Sequence, residues 1–212
     1  MAHGHASQDV ITPLSAEHVR AATDVLLRAF ADDPILTFYL NEPRRRTLAY
    51  RAFFGDAIYA HRRFGHVYTA LRDQQVVATA VWQPPHAGPS TLWERLHTWG
   101  AMLTVRTLFP RMAAGMFQGF AATQALHPHA PHWYLFFVGV DPALQGKGIG
   151  ARVLTPVLES ADRTGMLCYL ETPFPRTHAF YRRLGFEIAS ESHPFVGAPP
   201  LWTMIREPRS AP

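Results

Sequence analysis

Apolar residues recur along this chain with two different periods, and the switches between them divide it into elements. "DVITPL" (Asp9 to Leu14) predicts a short first strand. Ser15 then stands as an N-cap before Val19, Val25, Leu26, Ala29 and Phe30, whose spacing gives one apolar helix face. "ADDP" (Ala31 to Pro34) breaks that helix. A short helix follows around "ILTFYL", and a longer one runs from about Arg44 to Arg63. His66 to Leu71 and Val76 to Trp82 read as two strands joined by the polar turn "RDQQ", and "PPHAGP" ends that segment. From Ser90 to Leu126 the period is helical again. Leu92, Trp93, Leu96, Trp99 and Leu103 share one face; Met112, Met116, Phe117 and Phe120 share another.

The second half changes character. "HPHAPH" (His127 to His132) is a loop. Trp133 to Val140 is apolar on both faces, as a central buried strand is. Ala151 to Thr164 predicts a helix and Met166 to Glu171 a strand. Thr177 to Leu184 predicts a helix closed by Gly185 at C′, and Phe186 to Ser190 and Leu201 to Ile205 the final strands. The order fits one mixed α/β domain over residues 9–207, with a helical insert at about 86–131. Residues 1–8 are expected to be disordered and 208–212 to form a tail.

Composition narrows the possibilities. The 212 residues are 48% hydrophobic and 17% charged, enough for one large core. The net charge of +4 comes almost wholly from arginine, with Lys147 the single lysine. That excess suits an anionic ligand but lacks the clustering of a nucleic-acid surface. One cysteine, Cys168, excludes an internal disulfide, and its apolar setting "MLCYL" reads as packing. With no apolar span long enough for a membrane and no secretory signal at the start, a cytoplasmic protein is expected.

The chemistry concentrates in "VGVDPALQGKGIGARV" (Val138 to Val153). A glycine-rich turn between a buried strand and a helix start is physically an anion site. The first helical N–H groups have no internal partner, and glycines let a ligand come close. Lys147 is followed by Gly148, so the P-loop pattern fails; the run G-x-G-x-G also fails the dinucleotide fingerprint. "QGKGIG" (Gln145 to Gly150) matches Q-x-x-G-x-G instead.

By that motif the chain resembles the Gcn5-related N-acetyltransferase superfamily. "HWYLFFVGVDPALQGKGIGARVL" is similar to its central strand, loop and helix, and "LETPFPRTHAFYRRLGFE" (Leu170 to Glu187) to its later block. Within it, "AFADDP", "VATAVWQPP" and "LETPFPR" look most like the puromycin N-acetyltransferases. The resemblance implies a single domain with a mixed, mostly antiparallel sheet, splayed central strands and flanking helices. It implies acetyl-CoA as acyl donor, with its pyrophosphate on Gln145, Gly146, Lys147, Gly148, Ile149, Gly150 and Ala151. The pantetheine arm would pair with Val138, Gly139 and Val140. Tyr181 would lie near the thioester sulfur, able to protonate the leaving thiolate. Many members carry asparagine where this chain has Thr177, so that cofactor contact is expected to be weaker or water-mediated. The loop after the first helix borders the acceptor in relatives, which points to Asp33, Phe38, Tyr39 and Trp82 as acceptor-site residues.

Plainer readings stand beside these. Lys147 also reads as a solvated loop residue, and Tyr181 as one ring of an amphipathic helix. Glu171, at a strand end, is either the base that deprotonates the amine or a cap for the next turn. Asp32 and Asp33 also read as turn chemistry before Pro34. His127, His129 and His132 lack metal-ligand spacing, and no metal is expected. The resulting expectation is an N-acetyltransferase acting by direct attack on a small-molecule primary amine, an aminonucleoside or arylalkylamine, as monomer or homodimer. The alternatives are a peptide N-acetyltransferase and a non-catalytic CoA-binding module.

Overall fold

The computed structural model describes residues 9–39, 42–86, 103, 106–107, 122–193 and 197–209. Most of the expected insert from Ser90 to Leu126 lies outside them, as do residues 1–8 and 210–212. Seven strands pair in these residues: β1 (Val10–Pro13), β2 (Val67–Arg72), β3 (Gln75–Gln83), β4 (His132–Val140), β5 (Leu167–Thr172), β6 (Glu187–Ser192) and β7 (Leu201–Arg206). They form one sheet in the order β1-β2-β3-β4-β5-β7-β6, antiparallel except for β4 beside β5. The helices are α1 (Val19–Ala29), α2 (Pro34–Tyr39), α3 (Pro43–Arg62), α4 (Ile149–Thr164) and α5 (His178–Arg183). The mixed single-domain architecture expected from the sequence is the one observed, with boundaries displaced by a residue or two.

Two cores sandwich the sheet. On one face, α4 and α5 bury Ile149, Val153, Leu154, Val157 and Tyr181 against Ala78, Ala80, Trp82, Leu135 and Leu170. On the other, α1 and α3 bury Val25, Leu26, Phe54 and Ile58 against Val67 and Val81, with Phe136 and Phe137 packed alongside. Gly139 sets how closely α1 lies on β4. A Cβ there would stand 2.9 Å from both Ala29 Cβ and Leu26 Cδ2, so only hydrogen fits.

The central strands diverge. β4 and β5 pair from His132↔Leu167 to Leu135↔Leu170 and no further, although β4 runs on to Val140 and β5 to Thr172. β4 stays with β3 as far as Val140↔Ala78, and β5 stays with β7 as far as Thr172↔Trp202. A register shift between Val81 and Trp82 falls opposite the start of the divergence, where Trp82 pairs with Leu135. Such a bulge bends and twists its strand pair, which carries β4 away from β5.

Two local expectations are corrected. Ser15 does not cap α1: it precedes a single 3-10 turn, Ala16–His18, and its hydroxyl meets His18 Nδ1 at 2.8 Å. Trp82 is not an acceptor wall. It is fully buried in the core on the α4 side, the sheet face opposite the Glu171 cluster described below.

Candidate active site

The glycine loop is held from three sides. Asp141 accepts from the Ala143 amide at 3.1 Å and from Arg28 Nη2 at 2.7 Å, which fixes the turn before it. Gln145 Nε2 donates to the Val140 carbonyl at 3.2 Å. Arg152, in the first turn of α4, donates to the Lys147 carbonyl at 3.3 Å and pairs with the buried carboxylate of Asp9. Arg72 donates to the same carboxylate, and together the two arginines hold the Asp9 carboxyl below its ordinary range.

Gly146 (φ 77°) and Gly148 (φ 76°) both adopt the left-handed conformation, and Gly148 is the N-cap of α4. A Cβ on Gly146 would meet nothing within 4 Å, so the loop opens onto free space. The amides of Ile149, Gly150 and Ala151 begin a sixteen-residue helix and have no intrahelical acceptor. Gly150 lets α4 approach α5: a Cβ would come 3.3 Å from Phe180 Cζ. A turn of this shape, with free amides at a long helix start, fits a pyrophosphate.

The gap between β4 and β5 supplies the adjoining backbone. The Asp141 amide donates to the Val77 carbonyl, so that position faces β3. Alternation turns Gly139 to β3 as well, and turns the polar groups of Val138 and Val140 into the gap where β5 has left. Thr177 lies at the N-cap of α5. Its hydroxyl is engaged locally, 2.8 Å from the Phe174 carbonyl and 3.0 Å from Thr172 Oγ1.

Tyr181 is packed edge-on between Phe180 and Phe186, with ring centroids 5.0 and 5.9 Å away. The end of α5 explains this. Gly185 is left-handed, its amide donates to Arg182 O, and the Phe186 amide donates to Tyr181 O. That Schellman pairing folds Phe186 back onto Tyr181. Burial pushes the phenol above its ordinary value, so it carries its hydrogen at any working pH.

Glu171 stands on β5 just beyond the last paired position, on the face away from α4. Tyr134 donates to its Oε2 and Tyr169 to its Oε1, each at 2.9 Å. Burial first, then the Glu171 charge, pushes both phenols up, so both remain donors. His127 Nε2 lies 3.5 Å from Glu171 Oε1, outside hydrogen-bond geometry. The His127 ring packs 4.6 Å from Tyr134 and 4.5 Å from Tyr169, and its Nδ1 lies 3.1 Å from His132 Nε2. Glu171 is therefore the centre of a polar cluster rather than a cap for the next turn.

The remaining acceptor-site candidates divide. Asp33 is buried, and its Oδ1 accepts from the Leu36 amide at 2.9 Å, so it caps α2 as turn chemistry expects. Phe38 is exposed on α2, and the Tyr39 side chain lies outside the described residues. The structure adds Tyr134, Tyr169 and His127, which sequence reasoning missed. Tyr169 was accessible to it: two residues before Glu171 on one strand, it must share that side chain's face. Tyr134 and His127 required the β4–β5 register.

A splayed mixed sheet with a glycine-rich turn at the mouth of the splay defines an acetyltransferase fold. The chain belongs to the Acetyltransferase (GNAT) family, whose match spans residues 27–186. An uncharacterized N-acetyltransferase of Schizosaccharomyces pombe, C550.08, is 25% identical over 209 residues, covering 93% of this chain and 83% of that protein. Among solved structures, a histone acetyltransferase HPA2 and related acetyltransferase from Corynebacterium glutamicum matches with TM-score 0.65 at 21% identity, over 96% of this chain and 98% of that one. Arylalkylamine N-acetyltransferase 2 from Aedes aegypti matches with TM-score 0.63 at 11% identity, over 95% and 100%. The two structural likenesses show the fold. This chain is thus an acetyltransferase, and its family uses acetyl-CoA. Among the described residues no helix is long and apolar enough to cross a membrane.

Proposed function

We propose that this chain transfers acetyl from acetyl-CoA to the primary amine of a small molecule with an apolar or aromatic body, an aminonucleoside or arylalkylamine. The observation that carries the reading is the Glu171 cluster at the opening between β4 and β5: one carboxylate with aromatic neighbours and two phenol donors. Phe136 continues that aromatic wall, stacked on His61 of α3 with centroids 4.9 Å apart. A cationic amine on a flat body fits the one carboxylate that the described residues place among these rings; a polyhydroxylated polycation would need more acids. The sequence blocks resembling the puromycin N-acetyltransferases support the same acceptor class, an antibiotic-modifying type of reaction.

Bound acetyl-CoA would supply the activated acetyl thioester. The amides from Gly146 to Ala151 would hold its pyrophosphate, with Gln145 and Lys147 flanking them. Main-chain groups of Val138 and Val140 would hold the pantetheine arm and polarise the acetyl carbonyl oxygen; one such donor in comparable sites is worth about 3–4 kcal/mol. A primary alkyl amine is mostly protonated at neutral pH, with a pKa of about 10, so a proton must leave before attack. Glu171 takes it. Tyr181, kept protonated by burial, gives a hydrogen to the departing sulfur. Cys168 takes no part: it is buried on β5, and burial pushes its thiol up to about 12.

The experiment is a thiol-release screen with acetyl-CoA against aminonucleosides, arylalkylamines, polyamines, aminoglycosides, amino acids and basic peptides. Highest kcat/KM for an aminonucleoside or arylalkylamine is the expected outcome. An aminoglycoside or a basic peptide as best acceptor would overturn this reading of the pocket and leave the acetyltransferase assignment standing.

A further inference from the structure

The hydrogen positions around Glu171 can be deduced one by one. His132 Nδ1 lies 2.8 Å from the Ala130 carbonyl. A carbonyl only accepts, so this nitrogen carries the hydrogen. Burial pushes the His132 ring below its ordinary value, which favours the neutral form. Its Nε2 is then bare and must accept from His127 Nδ1, 3.1 Å away. In a neutral His127 ring, Nε2 is bare in turn. That atom is buried and, among the described residues, without a hydrogen-bond partner, and it lies 3.5 Å from Glu171 Oε1. Glu171 already accepts from Tyr134 and Tyr169, the other titratable groups that pack against His127 among the described residues. Two acceptors thus face one another with no hydrogen between them, and a single proton fits that space.

We propose that His127, oriented by His132, is the proton-holding partner of Glu171, so that the proton removed from the acceptor amine is kept between Glu171 Oε1 and His127 Nε2. The proposal rests on the reading of Glu171 as the base. An ammonium loses one proton to this pair, and the electron pair remains on nitrogen. That pair forms the C–N bond, the C–S bond breaks with its electrons going to sulfur, and the second nitrogen proton ends on sulfur. One proton remains per turnover. His127 holds it, and His132, partly exposed at the start of β4, lies on its way out. His127 acts through Glu171 and is a positioning residue rather than one that touches the amine.

The test has two arms. In the first, His127→Ala is assayed with acetyl-CoA and two acceptor probes, puromycin and tryptamine, with and without added imidazole. Expected is a fall in kcat/KM of roughly 10- to 100-fold, partial restoration by imidazole, and unchanged acetyl-CoA affinity. Wild-type kcat/KM, or a loss that imidazole leaves untouched, overturns the proposal. In the second, long-range proton–nitrogen spectra of the wild-type imidazoles are recorded with acetyl-CoA present. Hydrogens on Nδ1 of both His127 and His132 are expected; a hydrogen on Nε2 of neutral His132 overturns it. This arm needs no acceptor. If neither probe is acetylated, the acceptor reading fails and the spectra alone decide the proton-holding role.

Discussion

The Tyr134 hydroxyl donates to Glu171 Oε2 at 2.9 Å, across the place where two parallel strands part. Tyr134 sits one residue before the last paired position of β4, and Glu171 one residue after it on β5. The contact closes the floor of the gap. It holds the carboxylate at the opening between β4 and β5, facing the side on which α1 and α3 pack. The rest of the site is arranged around it, and each part has a measurable consequence.

Gly148 should tolerate no larger residue in the cofactor loop. Its left-handed backbone strains any L side chain, and a Cβ would sit 3.4 Å from Arg152 Nη1. Gly148→Val should weaken acetyl-CoA binding by roughly tenfold or more, at about 1.4 kcal/mol per decade. Gly65→Val is the control: it has the same strained backbone (φ 72°) with open space around it. Calorimetry should show lost affinity in the first variant alone. Equal affinity in both would remove the pyrophosphate from this loop.

Tyr181→Phe should lower kcat by roughly ten- to ten-thousand-fold with little change in acetyl-CoA affinity. Stability should barely move, since among the described residues no hydrogen bond holds the hydroxyl and Phe keeps the contacts to Phe180 and Phe186. Steady-state kinetics beside a thermal melt would show this. Wild-type kcat would leave Tyr181 as packing and make water the acid.

Asp33 should give the protein a pH-dependent weakness. Burial pushes its carboxyl up to about 6, against amide bonds from Leu36 and Ile35 that pull the other way. The folded state therefore holds this proton more tightly than the unfolded chain. Its stabilising contribution is complete below the unfolded value of about 3.9 and is lost as pH rises through about 6. Asp33→Asn keeps an N-cap acceptor for α2 and removes the charge. The variant should gain on wild type as pH rises from 4 to 7, by about 1–3 kcal/mol at the upper end. Parallel stability curves would show that Asp33 is solvated or paired in solution.

Gly139→Ala should act through packing. The added methyl meets Ala29 and Leu26, and overfilling a core of this kind costs typically about 1–3 kcal/mol. Denaturant unfolding should register that loss. An unchanged midpoint would mean that α1 rides further from β4.

The fold was largely legible because its main signals are local. Val138 and Val140 were placed on a central strand by a run apolar on both faces, and the loop after them by glycine spacing. Gly185 marked the end of α5. What escaped was set by pairing. Plain alternation along β3 puts Trp82 on the same face as Ala78 and Ala80, and nothing in "VATAVWQPP" shows that α4 and α5 cover that face. Asp33 was ambiguous because capping and acceptor binding use the same carboxylate chemistry. His127 read as one of several loop histidines, since its partners lie at positions 132, 134, 169 and 171, and only the parallel register of β4 and β5 brings them together.

The central role of Glu171 is tested most directly by Glu171→Gln. The amide keeps an oxygen for one tyrosine donor and removes the negative charge that takes the amine proton. With the best acceptor from the screen, kcat/KM should fall roughly a hundred- to ten-thousand-fold, while acetyl-CoA affinity and melting temperature stay close to wild type. A glutamine variant that turns over at the wild-type rate would contradict the assignment of Glu171 as the base.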